Sequence, residues 1–250
     1  WRVKWRTTFM LTYANMLYIG TQNGSVYEFD SISDVDIPLR SFNAHECAID
    51  HMQIKWSQLY TLSEELFAVW CLRTGTCTWS LPAQDMFHAF VVDSKHTAWV
   101  VASNETQLTI IQWHIDSQAP LKCTNTNNHA KPIFVFDTPA PGMIIKNILQ
   151  WFHNDTSLTI PTIEDITAIK GHKDLLFGGT HKGTLFTLKG DDYTRWSPLE
   201  KDTAITCIEC LKNTELIAFG TRHGSVYAWD IEEHYIVYDI SIGRTAVQCI

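Results

Sequence analysis

The stretch at residues 217–230 reads IAFGTRHGSVYAWD, and two other stretches align with it without gaps. These are LYIGTQNGSVYEFD at 17–30 and LFGGTHKGTLFTLK at 176–189. Their Gly-Thr pairs begin at Gly20, Gly179 and Gly220, so successive copies lie 159 and 41 residues apart. The longer gap is close to four periods of about 40 residues, which is the length of one four-stranded repeat. The sequence therefore predicts three more copies between Gly20 and Gly179.

The intervening copies are marked by a bulky apolar residue that closes an extended run. Such residues recur at intervals of 37 to 43 positions: Phe29, Trp70, Trp113, Trp151, Leu188 and Trp229. We therefore predict six repeats, whose approximate bounds are 7–45, 46–84, 85–127, 128–164, 165–203 and 204–243. The repeat at 128–164 fits the pattern least well, because it contains Pro139-Ala-Pro141-Gly142 and has no Gly-Thr turn.

Each repeat reads as four short strands. In the last repeat, extended runs at 204–211, 215–221, 225–231 and 235–240 are separated by turn residues. Strands of this length with turns about every 8–12 residues predict an all-β fold. The glycines at 24, 183 and 224 fit a hairpin position that requires positive φ. Runs such as Val26-Tyr27 are bulky on both faces, which is typical of sheets that are covered on both sides.

These repeats resemble the WD-repeat family of β-propellers. The resemblance rests on GSVYAWD at 224–230, on GSVYEFD at 24–30, on a Trp at the matching place in three more copies, and on Ala44-His45, which is similar to the family's Gly-His pair. It implies that residues 1–250 form a single propeller domain. It also implies a non-catalytic scaffold that binds other proteins within a multi-subunit complex.

The turns between second and third strands depart from the family pattern. The family often places an Asp there, which is hydrogen-bonded to a network of His, Ser or Thr, and Trp. The turns at Gln22-Asn23, His181-Lys182 and Arg222-His223 contain no Asp. We therefore expect this hydrogen-bonded tetrad to be missing and packing alone to hold the repeats together.

The ends of the chain bear on how the repeats close. Because family members mostly have seven blades, we expect residues 1–6 and 244–250 to be parts of a seventh, closing blade. The alternative is a six-bladed ring, or an open arc that a partner completes. The chain begins at Trp1 without a signal-like segment, and we expect it to be a piece of a longer polypeptide.

Composition and charge narrow the classes of function. Hydrophobic residues make up 45% of the chain, which excludes a disordered protein. The net charge of −8 disfavours direct, sequence-independent binding to nucleic acid. Seven irregularly spaced cysteines favour reduced thiols in the cytoplasm or nucleus. The sequence contains no run of about 18 apolar residues, so we predict no membrane-spanning helix.

We find no motif that carries chemistry. The pair Cys207 and Cys210 lies in a predicted strand, where residues three apart point to opposite faces, so a metal site is not expected. The chain has no phosphate-binding loop, zinc-protease motif or nucleophile elbow. We therefore predict no enzyme activity, no catalytic residue, no cofactor and no metal. An enzyme with a site in the central channel remains a less favoured alternative.

The candidate partner-binding residues lie on the turns between second and third strands. They are Gln22, Asn23, His181, Lys182, Arg222 and His223. Because the last four form a cationic spot on an anionic protein, they could receive an acidic or phosphorylated peptide segment. The alternative is a propeller subunit associated with nucleic acid, in a chromatin or RNA complex, which predicts a continuous basic face.

Overall fold

The computed structural model describes residues 6–32, 37–104, 107–117, 119–126, 134–136, 142–145, 148–151, 157–160, 165–190, 192–199, 203–211 and 214–247. Its regular elements in this part of the chain are β-strands, arranged in six four-stranded antiparallel sheets. Each sheet consists of four strands that are consecutive in the chain and paired in chain order. No helix among these residues is long and apolar enough to cross a membrane.

The chain divides into two compact units, and the first, Trp1–Pro132, contains three of the sheets. Sheet 1 is formed by β1 (Thr7–Tyr13), β2 (Met16–Thr21), β3 (Ser25–Asp30) and β4 (Arg40–Asn43). Sheet 2 is formed by β5 (His51–Lys55), β6 (Gln58–Leu62), β7 (Leu66–Cys71) and β8 (Cys77–Pro82). Sheet 3 is formed by β9 (Met86–Val92), β10 (Thr97–Ser103), β11 (Leu108–His114) and β12 (Ala119–Thr126).

The second unit, Ile133–Ile250, contains the other three sheets. Sheet 4 is formed by the short strands β13 (Phe134–Phe136), β14 (Gly142–Ile145), β15 (Ile148–Trp151) and β16 (Ser157–Thr159). Sheet 5 is formed by β17 (Ile166–His172), β18 (Leu175–Thr180), β19 (Leu185–Lys189) and β20 (Asp192–Trp196). Sheet 6 is formed by β21 (Ile205–Cys210), β22 (Leu216–Thr221), β23 (Ser225–Asp230) and β24 (Ile236–Ser241).

The sequence period locates the strands closely. Each sheet lies within one of the six ranges given by the repeat, and the bulky apolar residues that set the period all lie at or near the end of a third strand. In sheet 6 every strand begins and ends within one residue of the predicted bounds. The prediction of one propeller domain over residues 1–250 is not tested by the division into two units, and it stays a prediction.

The expectation of parts of a seventh blade is wrong for the described residues. Residues 6 and 244–247 form no strand, and residues 1–5 and 248–250 lie outside the described part of the chain. After β24 the chain folds back toward β22, where the N–H of Val247 donates to the carbonyl oxygen of Thr221 (3.0 Å). Val247 thus packs on sheet 6 in the place that Ile49 has on sheet 1.

The repeated Gly-Thr pair marks a close contact between neighbouring sheets. A Cβ on Gly179 would lie 2.5 Å from Cγ2 of Ile205, at the start of the next sheet, and a Cβ on Gly20 would lie 3.1 Å from Cγ2 of Ile49. Val247 meets Gly220 in the same way, at 2.6 Å. Glycine recurs at this place because a branched apolar side chain from the following segment occupies the space of its Cβ.

Candidate functional site

Three turns between second and third strands, at residues 21–25, 180–184 and 221–225, share one conformation. In each turn the glycine N–H donates to the carbonyl oxygen of the buried threonine that opens the turn, at 3.1 to 3.2 Å. The hydroxyl oxygen of the same threonine accepts the N–H of the residue after the glycine, at 3.1 to 3.3 Å. The two residues between threonine and glycine are exposed in all three turns. All six candidate binding residues are therefore presented outward by a rigid turn.

Four of the candidates lie on neighbouring sheets of the second unit. His181 and Lys182 project from sheet 5, and Arg222 and His223 project from sheet 6. The two sheets are joined by a hydrogen bond from the Thr167 hydroxyl to the carbonyl oxygen of Ile205. The structure thus brings the two cationic turns onto adjacent sheets in equivalent conformations.

Backbone hydrogen bonds anchor both cationic turns. The N–H of His181 donates to the carbonyl oxygen of Asp165 (3.0 Å), and His181 Nδ1 accepts the N–H of Asp165 (3.2 Å). The N–H of Arg222 donates to the carbonyl oxygen of Ala204 (2.9 Å). Anchoring of this kind lowers the entropy that the turns would lose on binding.

Lys182 and Arg222 differ from three other cationic residues of the second unit in whether an acidic side chain pairs with them. Lys170, Lys173 and Lys189 pair with Glu209, Glu215 and Asp174 at 2.7, 2.5 and 2.6 Å. Lys182 and Arg222 form no ion pair with any residue that the structure describes. Their positive charges are therefore available to a ligand.

The other two candidates, Gln22 and Asn23, lie in the first unit and are not part of the cationic pair of turns. Asn23 accepts a hydrogen bond from the Thr21 hydroxyl at its Oδ1 (2.6 Å). It borders an open groove of about 810 Å³ between sheets 1 and 2, lined by Asn23, Asn43, Ala44, His45, Glu46, Cys47, Ser63, Glu65 and Leu66. Two exposed carboxylates make this groove acidic, so its charge is opposite to that of the turns in the second unit.

A buried hydrogen-bonded network beneath this groove corrects the expectation that packing alone holds the repeats together. Trp70 Nε1 donates to Thr61 Oγ1 (2.9 Å), and Thr61 Oγ1 lies 2.7 Å from Nε2 of His45. His45 Nδ1 is buried and has no hydrogen-bond partner in the structure. Three residue types of the tetrad that the resemblance implies are therefore present: His45 comes from the segment before sheet 2, and Thr61 and Trp70 come from within it. The Asp is missing. The sequence signal was Ala44-His45 upstream of Trp70, although the threonine between them is unremarkable by itself.

Replacing Thr61 with valine is expected to lower the free energy of unfolding of the first unit by about 2 kcal/mol, because it leaves the buried Trp70 N–H without an acceptor. Thr61→Ser, which keeps the hydroxyl and loses only a methyl group, is the matched control and should lose about 1 kcal/mol. Urea unfolding followed by tryptophan fluorescence measures both. Equal losses in the two variants would contradict a role for the hydroxyl.

The thiols give no metal site among the residues that the structure describes. Cys207 and Cys210 face opposite sides of β21, as the sequence predicted: Cys207 lies beside Gly220, and Cys210 packs into the core that sheets 5 and 6 share. Burial raises the pKa of Cys210 to about 11, so this thiol stays protonated at neutral pH. Cys47, Cys71, Cys77 and Cys210 are free thiols.

Solved structures resemble the whole chain. The computationally designed protein Ika8 is 16% identical, with a TM-score of 0.70 over 99% of this chain and 90% of that chain. The WD40 repeats of RRP9 are 12% identical, with a TM-score of 0.74 over 99% of this chain and 84% of that chain. The structure of U3-55K is also 12% identical, with a TM-score of 0.74 over 99% and 85%.

Identities this low show the fold alone. The chain has an all-β propeller fold of the WD40-repeat kind, and the predicted fold class is confirmed to that extent. No protein-family model and no curated protein matches the sequence.

Proposed function

We propose that this chain is a non-catalytic scaffold for protein–protein interaction, acting as a WD-repeat-like subunit or domain of a multi-protein complex. The observation that carries the proposal is the pair of matching turns on sheets 5 and 6, which hold His181, Lys182, Arg222 and His223 outward from anchored backbone. Polar side chains on rigid, exposed turns suit docking. The likeness to WD40 repeats supports the proposal by analogy of fold.

The ligand that suits these turns is an acidic or phosphorylated segment of a partner protein. Lys182 and Arg222 form no ion pair with any described residue, and the second unit carries 10 basic and 15 acidic residues in total. A local cationic spot on an acidic surface orients an anionic segment and repels cationic ones. Arg222 can bind a phosphate or carboxylate through two parallel N–H groups.

Reversing both charges in Lys182→Glu with Arg222→Glu is expected to weaken binding of such a segment by at least about tenfold, because each cation supplies a charge-assisted hydrogen bond. The probe is a fluorescent peptide that carries one phosphoserine flanked by acidic residues, followed by anisotropy. The matched control is Lys173→Glu with Lys189→Glu, which changes the net charge equally and leaves the turns intact. It should keep at least half of the affinity.

Two results would overturn the proposal. One is the absence of binding by the unaltered chain, or equal loss in both double variants, which would indicate only a general effect of net charge. The other is strongly salt-dependent binding of a single-stranded oligonucleotide that competes with the peptide, since this would favour a nucleic-acid-associated propeller. We propose a location inside the cell, in the cytoplasm or nucleus, because the seven irregularly spaced cysteines favour reduced thiols.

A further inference from the structure

The ring of His181 forms a hydrogen bond that supplements the backbone bond shared by the three matching turns. In each turn the first exposed residue donates its backbone N–H to the carbonyl oxygen of the residue that precedes the first strand of the same sheet, at 2.9 to 3.0 Å. In sheet 5 that preceding residue is Asp165, and its own N–H donates in return to Nδ1 of His181 (3.2 Å). His181 is therefore held at both its backbone and its ring.

This bond determines which ring nitrogen of His181 carries the proton. A backbone N–H can only donate, so Nδ1 must offer its lone pair to Asp165, and the proton of the neutral ring then lies on Nε2. A second proton, on Nδ1, would face the N–H of Asp165 and break the bond. The hydrogen-bonded form of His181 is therefore the neutral ring, with Nε2–H as a donor.

The Nε2–H of His181 is available to a ligand. His181 is exposed, and its Nε2 forms no hydrogen bond with any residue that the structure describes. The turn beneath it is fixed, because the N–H groups of Gly183 and Thr184 both donate to Thr180, at 3.2 Å. The donor therefore has a defined position beside Lys182, the other exposed residue of the turn.

The two turns thus offer a ligand two kinds of interaction. Lys182 on sheet 5 and Arg222 on sheet 6 supply positive charge, which attracts an anion over a range of orientations. His181 supplies a directed donor, and a hydrogen bond to it requires an acceptor close to the line of the N–H. The sequence grouped His181 with the cations, whereas its hydrogen-bonded form contributes a donor without a charge.

We propose that His181 is a specificity-determining residue of the peptide site on sheets 5 and 6: its Nε2–H donates to an oxygen of the phosphate or carboxylate group that the cations attract. The inference rests on the proposed function, because it assigns a role within that site. A hydrogen bond to a charged acceptor is stronger than one between neutral groups. A segment that places no acceptor oxygen at this point forgoes the bond and binds less tightly.

Two substitutions separate the roles of the two ring nitrogens. The amide oxygen of His181→Asn can take the place of Nδ1 and accept the N–H of Asp165, but this side chain is too short to place a donor where Nε2 lies. The amide of His181→Gln reaches the place of Nε2 and can donate there, although it gives up the bond with Asp165. We expect His181→Asn to weaken peptide binding about tenfold. His181→Gln should weaken it about threefold at most, the cost of a freer side chain.

Fluorescence anisotropy measures binding with two probes, the phosphoserine peptide flanked by acidic residues and the same peptide with glutamate in place of the phosphoserine. The loss in His181→Asn should appear with the peptide whose oxyanion binds Nε2–H. His114→Asn in the first unit is the matched control, because Nδ1 of His114 also accepts a backbone N–H, from Ser117 (3.4 Å). This control should keep the affinity of the unaltered chain. Long-range ¹H–¹⁵N NMR spectra of the unliganded chain should show the ring proton of His181 on Nε2.

Three results would overturn this inference while leaving the proposed function intact. The first is a ring proton on Nδ1 of unliganded His181, which would contradict the assigned tautomer. The second is an unchanged affinity of His181→Asn for both peptides, and the third is an equal loss in His181→Asn and His181→Gln, since either would show that Nε2–H is not the donor. If the unaltered chain binds neither peptide, the proposed function fails and this inference fails with it, so the two failures are distinguishable.

Discussion

Gly24→Ala is expected to lower the free energy of unfolding of the first unit by about 3–5 kcal/mol. Gly24 has φ of 80°, in the left-handed region that favours glycine. A Cβ at this position would lie 2.0 Å from the carbonyl oxygen of His45. The carbonyl oxygen of Gly24 in turn accepts the N–H groups of Ala44 (2.9 Å) and His45 (3.0 Å). The turn therefore cannot move away without breaking its contacts with the segment that carries His45.

Gly190→Ala is the matched control, because it separates backbone strain from the clash. Gly190 has φ of 59°, and no atom lies within 4 Å of the place where its Cβ would be. It should lose only about 1 kcal/mol, the cost of the left-handed backbone alone. Gly224→Ala, in the same unit as Gly190, meets the carbonyl oxygen of Gly243 at 2.5 Å and should resemble Gly24→Ala. Thermal unfolding measures all three, and equal losses at the three positions would show that the clash contributes nothing.

The same turn explains why the sequence predicts the repeats well. Gly24 must adopt positive φ, and Gly20 must leave room for a neighbour's side chain. Because only glycine meets either requirement, both positions recur as glycine in the aligned repeats. Trp70 and Trp229 end third strands for a similar reason, because each fills a core position between sheets. A structural requirement that only one residue type can meet at a given position can be recognised from the sequence alone.

The features that the sequence did not disclose depend on several residues meeting in space. The bond between Thr61 and His45 joins residues on different elements, and nothing in a threonine marks it as the acceptor of a buried tryptophan N–H. The apolar run at the end of the chain is predicted to be a strand, yet its described residues, 244–247, form none.

The stability of the first unit is expected to fall by about 4 kcal/mol between pH 7 and pH 5, about 2 kcal/mol from each of His45 and His51. Burial lowers the pKa of both side chains from 6.5 to about 4. A hydrogen bond to the backbone of Phe90 acts in the opposite direction on His51, and burial outweighs it. The unfolded chain therefore binds more protons than the folded chain between pH 6.5 and 4. Stability is complete above pH 6.5 and is lost as the pH falls through this window.

His51→Phe should remove about half of this pH dependence. The ring of His51 lies between Phe9 and Phe90, at centroid distances of 5.0 and 4.8 Å, so a phenyl group fits the same space. His223→Gln, on an exposed turn of the second unit, is the control and should keep the full loss. Carboxylates of ordinary pKa, near 4, remain largely ionised at pH 5 and contribute little to the difference. Urea unfolding at pH 7, 6 and 5 measures the slope. If the stability of His51→Phe depends on pH as steeply as that of the unaltered chain, then the interpretation that His51 is buried and neutral between the two phenyl rings is wrong.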